Sequence, residues 1–198
     1  MRPILYLVVV FVCDALPAAA VPVKITDYQV IPLQEGVNEI PHLVPDGRNG
    51  KIIKTWRNNG NAYGYDLFLV TLEDKVVGVD TDNGFKDVIR DEPHTRQDAI
   101  KSVRFAWGKL GDEKLMLLIT ATRKIEPGYG LSDPGTVVFD VYRLVSNGPL
   151  GTTGDYFMRI NEFSSEQKYC NSDMALNQNL GLPLPEPYEG RGQPDGCS

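Results

Sequence analysis

The sequence predicts a mainly β fold: an antiparallel β-sandwich or open barrel with one short C-terminal helix. Two observations carry this reading. Short runs rich in Val, Ile, Phe and Tyr recur along the chain, and such side chains suit a pleated, half-buried surface. Clusters of Gly, Pro, Asn and Asp separate them, and these residues turn a chain because they tolerate or impose unusual backbone angles.

The first 20 residues stand apart from that body. Arg2 precedes an apolar run of nine residues, 4–12, and Ala18-Ala19-Ala20 follows Pro17. A positive start, a short apolar middle and a small-residue exit read as a cleavable secretory signal. The run is too short for a membrane-spanning helix, which needs about 20 residues. Cys13 raises a lipoprotein as the alternative, but Val12 precedes it where a small residue is expected. The expected location is therefore the periplasm. Removing the first 20 of 198 residues leaves 178, the length of one domain. The expected division is a signal over 1–20, a single β-rich domain over 21–180 and a Pro/Gly-rich tail over 181–198.

Along the body, residues 23–30 and 37–40 read as extended, with Glu35-Gly36 between them. Pro45-Asp46-Gly47-Arg48-Asn49-Gly50 is a turn, and residues 51–57 form the next strand. Asn58-Asn59-Gly60-Asn61 turns the chain into a strand over 63–72, and 76–79 follows after Glu73-Asp74. Such a succession is a meander of hairpins. Residues 80–84 and the polar run 90–96 bracket a predicted loop region. In 100–107, Val103, Phe105 and Trp107 alternate with Arg104 and Ala106, which favours strand. Residues 115–121 form a strongly apolar core strand. After the loop 128–134, Val137, Phe139 and Val141 alternate with Val138, Asp140 and Tyr142, an antiparallel pattern. Residues 155–163 make the last strand.

The helix is predicted from Ser164, which with Gln167 forms a capping-box pattern; Tyr169, Met174, Ala175 and Leu176 supply its buried face. With Pro183, Pro185, Pro187 and Pro194, the tail is expected to be extended. Loss of Cys13 with the signal leaves Cys170 and Cys197, an even pair in an oxidising compartment, so a disulfide is predicted. It closes a loop of 28 residues, counting both ends, and such a loop stabilises by about 3 kcal/mol in the chain-entropy model.

Composition narrows the function. The net charge of -6 opposes binding to a phosphate backbone, so no nucleic-acid partner is expected. The longest later apolar run, residues 115–119, is too short to span a bilayer, so no membrane span is expected in the mature chain. His42 and His94 are the only histidines, and neither has a ligand-spaced partner; no metal site is expected. In Asp80-Thr81-Asp82-Asn83-Gly84 the glycine falls fifth, whereas an EF-hand loop needs it sixth. A turn is the expected reading, with a loose calcium site as the alternative.

Catalytic signatures are weak. Ser165-Glu166-Gln167-Lys168 matches S-x-x-K, which would let a lysine share the serine proton on a helix face. Its companions are missing, since Ser172-Asp173-Met174 lacks the final Asn and Lys54-Thr55-Trp56 has Trp where Gly belongs. Asp66, Asp80, Asp82, Asp140, Glu73 and Glu166 could pair as in a glycosidase, but sequence alone pairs none of them. No enzyme is predicted; a small envelope hydrolase is the weakest alternative.

A binding surface is the stronger lead. Between Trp56 and Asp66 the chain gathers Trp56, Tyr63 and Tyr65 with the amides of Asn58, Asn59 and Asn61 and with Arg57. Flat rings give contact area at small entropy cost, and amides give directional hydrogen bonds. Arg57 could grip a carboxylate through two parallel bonds. The candidate ligand-binding residues are Lys54, Trp56, Arg57, Asn59, Asn61, Tyr63, Tyr65 and Asp66. The competing reading is a hairpin whose rings cover the edge of the core.

Gln34-Glu35-Gly36-Val37-Asn38-Glu39-Ile40 resembles the opening strand and turn of the CarG family. Pro45-Asp46-Gly47-Arg48-Asn49-Gly50, followed by Arg57, Asn59, Asn61, Ala62, Gly64 and Tyr65-Asp66, is similar to it as well, and so is the stretch ending Val141-Tyr142-Arg143-Leu144. The resemblance implies a periplasmic protein that protects carbapenem-making bacteria without hydrolysing the drug. It implies no cofactor, and a β-lactam held by aromatic rings with Arg57 or Lys54 at its carboxylate. The alternative is an envelope protein–protein interaction module, with the Tyr/Asn/Gly hairpin as its interface or as a homodimer seam.

Overall fold

The computed structural model describes residues 25–60, 63–93, 99–146, 148, 154–186 and 195–197. The strands are β1 (Thr26–Val30), β2 (Gly36–Ile40), β3 (Gly50–Arg57), β4 (Tyr65–Leu72), β5 (Lys75–Val76), β6 (Gly78–Thr81), β7 (Gly84–Lys86), β8 (Val88–Arg90) and β9 (Glu92–Pro93). Four long strands follow: β10 (Ala99–Leu110), β11 (Glu113–Arg123), β12 (Gly135–Ser146) and β13 (Asp155–Tyr169). One helix, α1 (Ser172–Leu180), comes after them. None of the described helices is long and apolar enough to cross a membrane.

Two sheets result. The large one runs β1-β10-β11-β12-β13-β6-β7, with β9 also on β10; the small one runs β2-β3-β4-β5, with β8 on β4. Pairing is antiparallel throughout, save the parallel contact of β13 with β6. The predicted strand 76–79 is divided between the sheets. The chain leaves the small sheet after β5, buries Val77 and joins the large sheet at β6.

Each face of the large sheet carries a core. Between the sheets lie Ile52, Phe68, Val70, Phe105, Leu118 and Phe157. Phe105 sits 5.7 Å from the Phe68 ring and 6.3 Å from the Phe157 ring. On the far face, Leu117, Ile119, Val137 and Phe139 pack with Ala175, Leu176 and Leu182 from α1 and the tail. β11 is therefore covered on both sides, which is why residues 115–121 carry no polar alternation except at Thr120.

The helix begins later than the capping-box pattern indicates. Ser164 and Gln167 lie inside β13, whose ladder with β12 continues to the Tyr169–Gly135 pair. The Ser165 hydroxyl accepts from the Val137 N–H at 3.0 Å and donates to the Gln167 carbonyl at 2.6 Å, so tertiary pairing wins over the local signal. Asn171 caps the helix instead: its side-chain oxygen accepts from the N–H groups of Asp173 and Met174. Gly181 closes the helix in the left-handed region, at φ 68°. The loop expected between residues 80 and 96 also contains β7, β8 and β9, short strands that sequence patterning does not resolve.

The predicted disulfide is formed: Cys170 and Cys197 are bonded with their Cα atoms 4.9 Å apart. Backbone bonds support it, since the Cys170 N–H donates to the Asp195 carbonyl at 2.9 Å. Gly196 lies at φ +73°, and a Cβ there would come within 2.7 Å of the Asn171 Cβ. The tail can lie against the helix cap only because position 196 has no side chain.

Candidate functional site

The candidate cluster divides by strand parity. Lys54 and Trp56 share the face of Ile52 and pair across β4 with Phe68 and Asp66. Arg57 and Tyr65 are opposite each other on the outer face of the small sheet. There Tyr65 lies between the guanidinium groups of Arg57 and Arg90, 5.5 Å and 5.2 Å from its ring centre. Asn59 bonds the Tyr63 carbonyl at 2.8 Å, and Asn58 accepts from the Gly60 N–H at 2.8 Å, so these two amides shape the hairpin. Asn61 lies outside the described residues.

Trp56 is half exposed at the end of β3. Its ring covers Gly64, where a Cβ would meet it at 2.3 Å. The Trp56 N–H donates to Glu35 at 2.9 Å, which ties this corner to the turn before β2.

Lys54 and Asp66 line a cavity of about 580 Å³ where the small sheet, β10, α1 and the tail meet. Phe68, Phe105, Val103 and Leu33 supply apolar walls, and Pro183 to Pro185 close one side. Lys54 Nζ lies 2.8 Å from Asp66 Oδ2, with both side chains about one-quarter exposed. Such a volume falls within the range of small-molecule sites, about 300–1,000 Å³.

The structure adds groups that the linear cluster does not contain. Asp91 Oδ1 accepts from the Asp66 N–H at 2.8 Å, and the Asp91 N–H returns a bond to the Asp66 carbonyl at 3.2 Å. Burial, reinforced by the Asp66 charge, pushes the Asp91 carboxyl up to about 7. It is poised to change charge near neutrality, a property concentrated at functional sites. Arg104 and Asp173 form a salt bridge at 2.5 Å on the opposite wall. Lys101 also faces the cavity; burial, and then the Lys86 charge, lowers its ammonium from the ordinary range. Asp91, Arg104 and Asp173 come from segments distant in sequence, and no local pattern joins them to Lys54.

The remaining candidates have other partners. Ser165 is buried and bonded to backbone, while Lys168 pairs with Glu126 at the surface. Asp82 and Asp140 both contact Arg159. Among the described residues, no group of three or more His, Cys, Asp or Glu side chains is placed to hold a metal ion. His94 lies outside the described residues.

Two packed, mainly antiparallel sheets with one C-terminal helix on the outer face define a β-sandwich with a cavity at its edge. The chain is similar in fold to the crystal structure of CarG, with a TM-score of 0.61 and 18% sequence identity, over 82% of this chain and 99% of that one. No protein-family model matches the chain, and neither does any curated protein.

Proposed function

We propose that this chain is an exported, non-enzymatic binding protein that protects against a carbapenem by holding it. The observation that carries this reading is the CarG fold, matched over nearly the whole of that chain. The resemblance over residues 34–72 supports it, and so does the cavity that Lys54 lines. In this mechanism the bicyclic ring system packs on Phe68 and Phe105. The ligand carboxylate takes the Lys54 ammonium from Asp66, and Asp91 tunes the exchange through the backbone it shares with Asp66. Of the two cations proposed for the carboxylate, Lys54 has the position for this cavity and Arg57 does not.

Calorimetry with a carbapenem tests the reading. Lys54→Met should abolish binding in a folded protein, and Trp56→Ala should weaken it by removing the ring on the strand position opposite Asp66. Arg57→Ala should leave the affinity unchanged. Equal affinity of the Lys54→Met variant and the parent would remove this cavity from consideration.

One observation favours a second reading, an envelope interaction module. On the outer face of the small sheet, Val37, Ile53, Leu69 and Val88 fall in one cross-strand row. Val37 and Val88 are 61% and 47% exposed, a contiguous apolar stripe that an interface would bury. Mass measurement in solution checks it: a stable oligomer that dissociates in a Val37→Lys/Val88→Lys variant supports this reading, and a monomeric parent removes the homodimer.

A further inference from the structure

We propose that a second cleft, on the inner face of the large sheet beside β8 of the small sheet, binds a small hydroxylated carboxylate of the sugar-acid class. Register lays this face out in rows. Phe105, Leu118 and Tyr142 form the last apolar row. The next contains Thr120, Asp140 and Glu162, and the one beyond it Lys101 and Thr122. Polar side chains thus occupy positions that continue a core face, and they line a cavity of about 500 Å³. This cleft shares Lys101 with the cavity described above but none of its other charged groups.

One wall is a set of acceptors held in place. Arg159 Nη1 donates to Asp82 Oδ2 at 3.0 Å, Asp140 Oδ1 at 3.2 Å and Glu162 Oε2 at 2.7 Å, and its Nη2 donates to Asp82 Oδ1. A bulge makes this possible. The register of β12 with β13 shifts between Val141 and Tyr142, which leaves Ile160 as an extra residue. Residues three apart in an unbroken strand face opposite ways; the bulge returns Arg159 and Glu162 to one side. Each carboxylate oxygen has two lone pairs, so acceptor sites remain for ligand hydroxyls, beside the Thr120 and Thr122 hydroxyls.

The other wall is cationic. Lys86, Lys101 and Lys124 line the cleft and form no ion pair among the described residues. Lys101 is half buried beside Lys86, and Glu92 and Asp140 offset its charge only in part, so an incoming carboxylate would relieve a partly desolvated ammonium. A ligand matching both walls carries a carboxylate at one end and hydroxyl donors at the other. A neutral sugar leaves the ammonium wall unsatisfied, and a simple carboxylate leaves the acceptor wall unsatisfied.

Titration calorimetry of the full chain with galacturonate, galactose and acetate tests this. Galacturonate should bind roughly tenfold or more tightly than either fragment, as loss of a charge-assisted contact predicts. Lys101→Met, which keeps an apolar stem, should weaken it by about the same factor. The Lys86→Met/Lys124→Met variant changes only exposed side chains, so it carries the test if Lys101→Met fails to fold, and it should also bind less tightly. Lys51→Met, on the other sheet, should bind as the parent does. Absence of galacturonate binding, equal binding of galactose or acetate, or parent-like affinity in the folded lysine variants would each overturn the proposal.

Discussion

Asp91 joins burial to chemistry. In the unfolded chain its carboxyl releases a proton near the ordinary value of 3.8, whereas in the fold it keeps that proton to about 7. Between those values the folded state binds more protons than the unfolded state, so stability falls as pH rises through that window. The loss is at most about 1.4 kcal/mol per pH unit. Asp91→Asn keeps an oxygen to accept from the Asp66 N–H but removes the titration. Its melting temperature should therefore drop less than the parent's between pH 5 and pH 8, and matching slopes would show that Asp91 is ionised throughout. Gly64 makes a steric argument at the same scale. A Cβ there would lie 2.3 Å from both the Arg57 carbonyl and the Trp56 ring. Gly64→Ala should destabilise by about 1–3 kcal/mol, the usual cost of overpacking. It should also shift tryptophan emission by displacing Trp56, whereas unchanged emission would place the ring elsewhere.

Elements were legible where each residue's environment is set by its neighbours. Alternation of Val137, Phe139 and Val141 reported β12, because one side of that strand meets the far core and the other the inter-sheet space. The strongly apolar run 115–119 reported β11, with a helical layer behind it. Sequence failed where distant pairing overrides local preference. Ser164 and Gln167 have the composition of a helix start, yet β12 offers the ladder that keeps them extended. Asn171 is the residue that caps, and Asn171→Ala should cost about 0.5–2 kcal/mol, read as a lower melting temperature and lower ellipticity from α1. The candidate site shows the same division. Lys54 and Asp66 were in view as neighbours in a hairpin, and parity alone separates Lys54 from Arg57. Asp91, Arg104 and Asp173 were not, because the link after β8, strand β10 and helix α1 are brought together only by tertiary packing.

Across the whole molecule, the disulfide acts on one layer more than on the others. Cys170 follows β13, and Cys197 returns the tail to the start of α1, so the bridge closes around the helix that covers the far core. The inter-sheet core, built on Phe105, Leu118 and Phe157, contains no residue from that loop. Replacing both cysteines with serine should cost about 2–5 kcal/mol overall. The loss should also be uneven: amides of α1 should exchange faster by a larger factor than those of β3 and β4, since local opening needs only the helical layer to lift. Besides the bridge, burial of Ala175, Leu176 and Leu182, the Arg104–Asp173 ion pair and the Ser102–Ser172 hydrogen bond oppose that opening. Uniform acceleration across both sheets would mean instead that the layers unfold as one unit, and that the bridge supports the whole sandwich. Ligand binding discriminates further: if only the helical layer loosens, the cleft formed by Arg159 and Lys101 should keep its affinity in the cysteine-free protein. The cavity near Lys54, walled in part by Pro183 to Pro185 and Asp173, should lose affinity.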